Sequence, residues 1–76
     1  MITRKSLGEA VRFFRKSRGI GQEKLALISK TSRSHMSKIE RGECAVSVEK
    51  LVEIAAAIDT RVSDIMKRAE QESMLE

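Results

Sequence analysis

The chain has no proline, no tryptophan, no tyrosine, one cysteine and one histidine, and Phe13 and Phe14 are its only aromatic residues. Each shortage excludes something. A lone Cys44 cannot form an internal disulfide, so that route to stabilising a small fold is closed. One Cys and one His do not furnish the ligand set of a structural zinc site. His35 and Cys44 have no third orienting group in the pattern of a catalytic triad, so nucleophilic catalysis has no sequence support. The aromatic platforms on which single-stranded nucleic acid stacks are missing. No apolar run approaches 18 residues and no signal-peptide pattern opens the chain, so the sequence reads as soluble and cytoplasmic, with no membrane partner and no cofactor. No helix pairs a basic face with a broad apolar one, as a membrane-surface helix does.

What remains is a 76-residue chain without linker-like runs, which reads as one small domain over 1–76. A chain of this length buries only about 60% of its unfolded surface, and association is the remaining route to extra stability. The net charge of +4 is unevenly spread. Residues 1–42 hold eleven Lys/Arg against Glu9, Glu23 and Glu40, giving +8. Residues 43–76 hold Lys50, Arg61, Lys67 and Arg68 against eight acids, giving −4. A basic front on an acidic back suits one surface that meets a polyanion.

No strand-like alternation occurs, and the chain reads as all-α, with five short helices. Met1–Lys5 reads as a basic lead-in, and Ser6 with Glu9 as the capping box of the first helix. Leu7, Ala10, Val11 and Phe14 form its inner stripe, with Phe13 either a flank of the core or an exposed contact. Gly19-Ile20-Gly21 closes it. Leu25, Ala26 and Ile28 mark the inner side of a second helix, and Ser29-Lys30-Thr31-Ser32 interrupts it. In the third, an advance of about 100° per residue gathers Arg33, Ser34, Ser37, Lys38 and Arg41 into a sector of roughly 140° that carries no acid. Met36 and Ile39 lie opposite. His35 falls at the boundary, suited to an outward polar contact or to half-buried packing. Gly42 is the C-cap. Ser47 caps a fourth helix with Val48, Leu51, Ala55 and Ile58 inward and Ile54 beside them. After Asp59-Thr60-Arg61, Ser63 and Asp64 start a fifth helix with Ile65, Met66 and Ala69 on its buried side, and residues 70–76 read as a frayed tail.

A second and third helix separated by so short a turn suggest a helix-turn-helix. The residues Leu7-Gly8, Val11-Arg12, Arg15, Gly19, Gln22-Glu23, Leu25-Ala26, Ser32-Arg33-Ser34, Ser37, Ile39-Glu40-Arg41-Gly42, Leu51, Ile54-Ala55, Ile58 and Ile65-Met66 resemble the Cro/phage-repressor family, also called the xenobiotic-response-element type. They span about four-fifths of the chain. The resemblance implies a lambda-repressor-like five-helix bundle and a sequence-specific regulator that binds double-stranded DNA as a homodimer on a roughly palindromic operator. It implies base contacts from Arg33, Ser34, Ser37 and Lys38, and backbone contacts from Gln22, His35, Arg41, Arg4 and Lys5. It further implies an Arg15–Glu40 salt bridge between the first and third helices, and a dimer contact on the last helices at Val62, Ile65 and Met66. The profile suits a phage-type repressor or a restriction–modification controller protein. Repression by blocking RNA polymerase and activation by touching it both fit. An antitoxin that also autoregulates its operon is the competing reading, against which the tail from Ala69 leaves little room for a toxin-binding segment. The family commonly has Gly-Val at the turn before the third helix, where this chain has Lys30-Thr31, and the same change recurs at Asp59-Thr60.

Overall fold

The computed structural model describes residues 1–75. Helix α1 spans Arg4–Ser17, α2 Gln22–Ile28, α3 Arg33–Glu40, α4 Val48–Ala57 and α5 Val62–Met74, with no strand among the described residues. α1 lies along α5 and crosses α3, while α2 rests on α3 and α4. One apolar cluster joins all five: Ala10 and Val11, Leu25 and Ala26, Met36 and Ile39, Leu51, Ile54, Ala55 and Ile58, then Ile65 and Ala69.

The helix starts show which hydroxyls cap. Ser32 and Ser47 accept the backbone N–H of His35 and Lys50, as their positions before the apolar runs predict. At α1 the expectation fails. Thr3 is the N-cap and Ser6 the third helical residue, and each hydroxyl accepts the other's backbone N–H at 3.0 and 2.8 Å. Ser thus does what Glu does in the usual capping box. Arg4 and Lys5 consequently belong to the first turn of α1 and not to a lead-in before it. α5 begins at Val62, before Ser63 and Asp64, and continues to Met74, so the tail expected to fray is helical that far. Ala69 is buried, an Arg68–Glu72 pair spans one turn at 2.9 Å, and the Ser73 hydroxyl donates to the Met1 carbonyl. Glu76, the last residue of that tail, lies outside the described residues.

Two expected core residues face outward. Ile28 is half-exposed because Ser29, about 40° around from Leu25, takes the inward position. The buried Ser29 hydroxyl donates to the Leu25 carbonyl at 2.6 Å. Val48 is exposed because, as the first residue of α4, its side chain leans back towards the N-terminus and past the core.

Four helices end in the same closure. After α1, α2, α3 and α4, a left-handed residue (Gly19, Lys30, Gly42 and Asp59) is followed by a residue whose N–H reaches back to the last turn. For α2 the bonds are Lys30 N–H to Leu27 O at 3.3 Å and Thr31 N–H to Ala26 O at 2.8 Å, the Schellman pattern. Lys30, at φ 57°, holds a conformation that costs a side-chain-bearing residue about 1 kcal/mol relative to glycine. Lys30→Gly therefore raises the melting temperature, by roughly 4–8 °C for a domain of this size. Differential scanning calorimetry checks it; an unchanged or lower value would mean the strain is relieved elsewhere.

Candidate nucleic-acid interface

α3 is anchored by Met36 and Ile39, both buried, and its opposite side carries Arg33, Ser34 and Lys38, exposed, with Ser37 half-buried. The arc expected from helical angles is thus one surface. His35 is exposed, so of its two readings the half-buried one is excluded. Arg41 follows directly as the C-cap. Gly42 then lies so close to α1 that a Cβ on it would sit 2.6 Å from the Lys5 Cα. That approach brings the first turn of α1, with Lys5 and Arg4, to the tail of the same helix.

The base of α3 is fixed by a buried charge network. Arg15 binds Glu40 bidentately, Nε to Oε2 at 2.8 Å and the far guanidinium nitrogen to Oε1 at 3.0 Å, and also donates to the Ile20 carbonyl at 3.0 Å. Side-chain exposures of 11% and 3% place this pair out of bulk water. Gln22, the first residue of α2, donates its amide to Glu40 Oε1 at 3.2 Å. Its side chain is therefore pre-aimed along the edge where α2 and α3 meet. Arg12, Arg15, Gln22, Ser37, Glu40 and Arg41 together line a shallow polar notch of about 190 Å³ at that edge.

Besides Gln22, two residues expected to meet DNA are paired within the chain. Arg33 donates to Glu23 Oε1 at 2.9 Å, and Arg41 contacts Glu43 at 3.1 Å. The Arg33–Glu23 side chains are 70% and 73% exposed, so their pairing contributes at most about 1 kcal/mol and releases easily. Both partners sit on the α2–α3 pair, and only angular placement across two helices could have foretold the contact.

The structure also assigns the remaining candidates. Ile65 is fully buried in its own chain and presents no side chain to a second subunit, whereas Val62 and Met66 are half-buried. The helical stripe on α5 is simply core at that position. Phe13 flanks the seam between α1 and α5, edge-on to Phe14 at 5.1 Å, with the Arg68 guanidinium 3.8 Å above its ring. Cys44 is half-buried against the core from the loop after α3. Among the described residues, no three His, Cys, Asp or Glu side chains gather as metal ligands would, and no helix is long and apolar enough to cross a membrane.

A further unforeseen contact lies at the turn itself. Lys50, on α4, donates to the carbonyls of Ser29 and Lys30 at 2.9 and 3.1 Å, directly at the turn between α2 and α3.

Comparisons with known proteins agree with this geometry. Residues 11–65 match the model of a helix-turn-helix family. The chain is 42% identical over 64 residues to the competence pilus inhibition repressor of Acinetobacter baylyi, covering 84% of this chain and 58% of that protein. The chain thus spans little more than half of that relative's length. It is 34% identical over 68 residues to the control protein C.SmaI of Serratia marcescens, covering 90% of this chain and 81% of that one. The crystal structure of the clp gene regulator ClgR from Corynebacterium glutamicum superposes with a TM-score of 0.92 at 35% identity, over 95% of this chain and 77% of that one. With α2, the short turn and the exposed basic side of α3 arranged as described, the chain belongs to the helix-turn-helix family.

Proposed function

We propose that the chain is a cytoplasmic, sequence-specific regulator that binds as a homodimer to a roughly palindromic operator, with α3 of each subunit in successive major grooves. The observation that carries this reading is the α3 surface, where Arg33, Ser34 and Lys38 stand exposed on a helix whose other side is locked into the core. Arg33 and Lys38, with Ser34 and Ser37, read base edges; an arginine suits bidentate contact with guanine. Gln22, His35, Arg41, Arg4 and Lys5 hold the phosphate backbone on both sides of the helix and set register. Two-fold symmetry places the half-sites about one helical turn apart. Val62 and Met66 border the subunit contact. The likeness to a repressor and to a control protein supports a role in which occupancy of the operator sets transcription, with RNA polymerase the complex that is blocked or touched. The protein acts by binding and performs no chemistry.

Selection of duplexes from a random pool tests this. The parent enriches a two-fold symmetric motif at physiological salt; no enriched motif would end the sequence-specific reading. Arg33→Ala loses preference at one base position of each half-site, worth roughly 1–3 kcal/mol of discrimination. Gln22→Ala weakens binding to all sequences alike, because a phosphate contact carries no base information.

A further inference from the structure

Lys50 stands where its own helix gains nothing from its charge. It is the third residue of α4, whose N-cap is Ser47, and a positive charge in the first turn opposes the helix dipole. A glutamate there would complete a capping box with Ser47. The side chain instead crosses to α2, a helix with no basic residue in its last turn. Its ammonium group has three protons to donate, and three acceptors surround it. These are the Ser29 carbonyl at 2.9 Å, the Lys30 carbonyl at 3.1 Å, and Glu53 Oε1 at 2.9 Å. Ser29 is the C-cap of α2 and Lys30 the left-handed residue after it, so the ammonium holds both peptide groups that set the direction of the chain into α3. The Ser29 and Thr31 hydroxyls add a bond of 3.3 Å within the same turn.

A parallel clamp exists at the other non-glycine turn. Arg18, the C-cap of α1, donates to the carbonyls of Ile58 and Asp59 at 2.8 and 2.7 Å. Both left-handed positions that lack glycine are thus held by a cation reaching in from another helix. Only the clamp made by Lys50 bears on the orientation of α3.

We infer that Lys50, steadied by Glu53, is a positioning residue for DNA recognition: it fixes the angle between α2 and α3, and hence sequence preference, without touching DNA. The inference rests on α3 being the helix that enters the groove. Lys50→Met keeps the aliphatic stem and removes all three donors; Glu53→Gln keeps the ammonium and weakens its anchor.

The test compares affinity for a duplex bearing the selected half-site with affinity for a scrambled duplex of equal length, below the melting temperature of every variant. Lys50→Met lowers specific affinity about tenfold, the size of one discriminating contact, while scrambled-duplex affinity stays within about twofold. Lys50→Arg restores most of the ratio, and Glu53→Gln shifts it less but in the same direction. Should Lys50→Met fail to fold, Glu53→Gln carries the comparison alone. Arg18→Met, which removes the parallel clamp, lowers the melting temperature and leaves the ratio as in the parent. Three results overturn the inference: an unchanged ratio in the Lys50 and Glu53 variants, an equal loss in Arg18→Met, or a salt dependence whose log–log slope drops by about 0.9, the mark of a lost phosphate contact. A parent that does not distinguish the two duplexes refutes the role of α3 itself, a failure visible before any variant is made.

Discussion

Gly8→Ala, a change that stabilises most exposed helices, lowers the melting temperature of this protein by roughly 8–16 °C. An added Cβ at Gly8 would sit 2.3 Å from the carbonyl oxygen of Ile39 and 2.7 Å from that of Glu40. These are backbone atoms of the last turn of α3, so no rotamer change relieves them. Overpacking of this kind costs about 3 kcal/mol, at the upper end of the usual range. The gain in helix propensity from Gly to Ala returns about 1 kcal/mol, leaving a net loss near 2 kcal/mol. The alternative is that α1 slides away from α3, which would loosen the Arg15–Glu40 pair and the Lys5–Gly42 approach together. Thermal unfolding followed by circular dichroism decides the matter. A melting temperature equal to or above the parent's would show that α1 and α3 are not held at this crossing.

A second large effect lies in the charge network at the base of α3. Arg15→Met destabilises the protein by about 3–5 kcal/mol, since it leaves the Glu40 carboxylate buried with the Gln22 amide as its remaining side-chain donor. A chain of this length has a total stability of only about 4–11 kcal/mol, so the variant loses a large fraction of it. The double variant Arg15→Met with Glu40→Leu behaves differently, because replacing a buried ion pair by apolar groups is commonly neutral or stabilising. Urea titrations of the parent, both single variants and the double variant give the coupling directly. A double variant as unstable as Arg15→Met alone would contradict this account. Where the double variant folds, its affinity for all duplexes still falls, because Gln22 has lost the carboxylate that aims it. Stability and binding thus separate in one protein, and the network serves placement of Gln22 as well as cohesion.

The sequence carried much of this architecture because the elements are local. Ser32, Ser47, Gly19 and Gly42 announce helix ends through chemistry confined to a few residues, although Gly42, read as the C-cap of α3, is the left-handed residue one position after the cap Arg41. The left-handed Lys30 and Asp59 were also legible, as departures from glycine in a resemblance. The start of α1 was not, since a Thr–Ser reciprocal cap lacks the acidic residue that marks the pattern. Ile28, Val48 and Ile65 show a different limit. Periodicity says which side of a helix is apolar, but not whether a neighbour reaches that point of it. Ile28 and Val48 sit at helix ends beyond the core, and Ile65 sits at its centre, too deep to serve a second subunit. The Glu23–Arg33 and Lys50–Ser29 contacts join residues ten and twenty-one positions apart through the packing of separate helices. No pattern within one element encodes them.

The absence of a side chain at Gly8 has a mechanical consequence for recognition. Contact between α1 and the last two residues of α3 makes that end a pivot, and Arg33 sits at the far tip of the eight-residue arm. At 1.5 Å of rise per residue, that arm is about 10 Å long, and a tilt of 10° at the pivot moves its tip by roughly 2 Å. Base edges tolerate less than that. The fidelity of the tip therefore depends on both ends of the lever: on the turn held by Lys50 beside it, and on a gap at the far end just wide enough for a hydrogen atom.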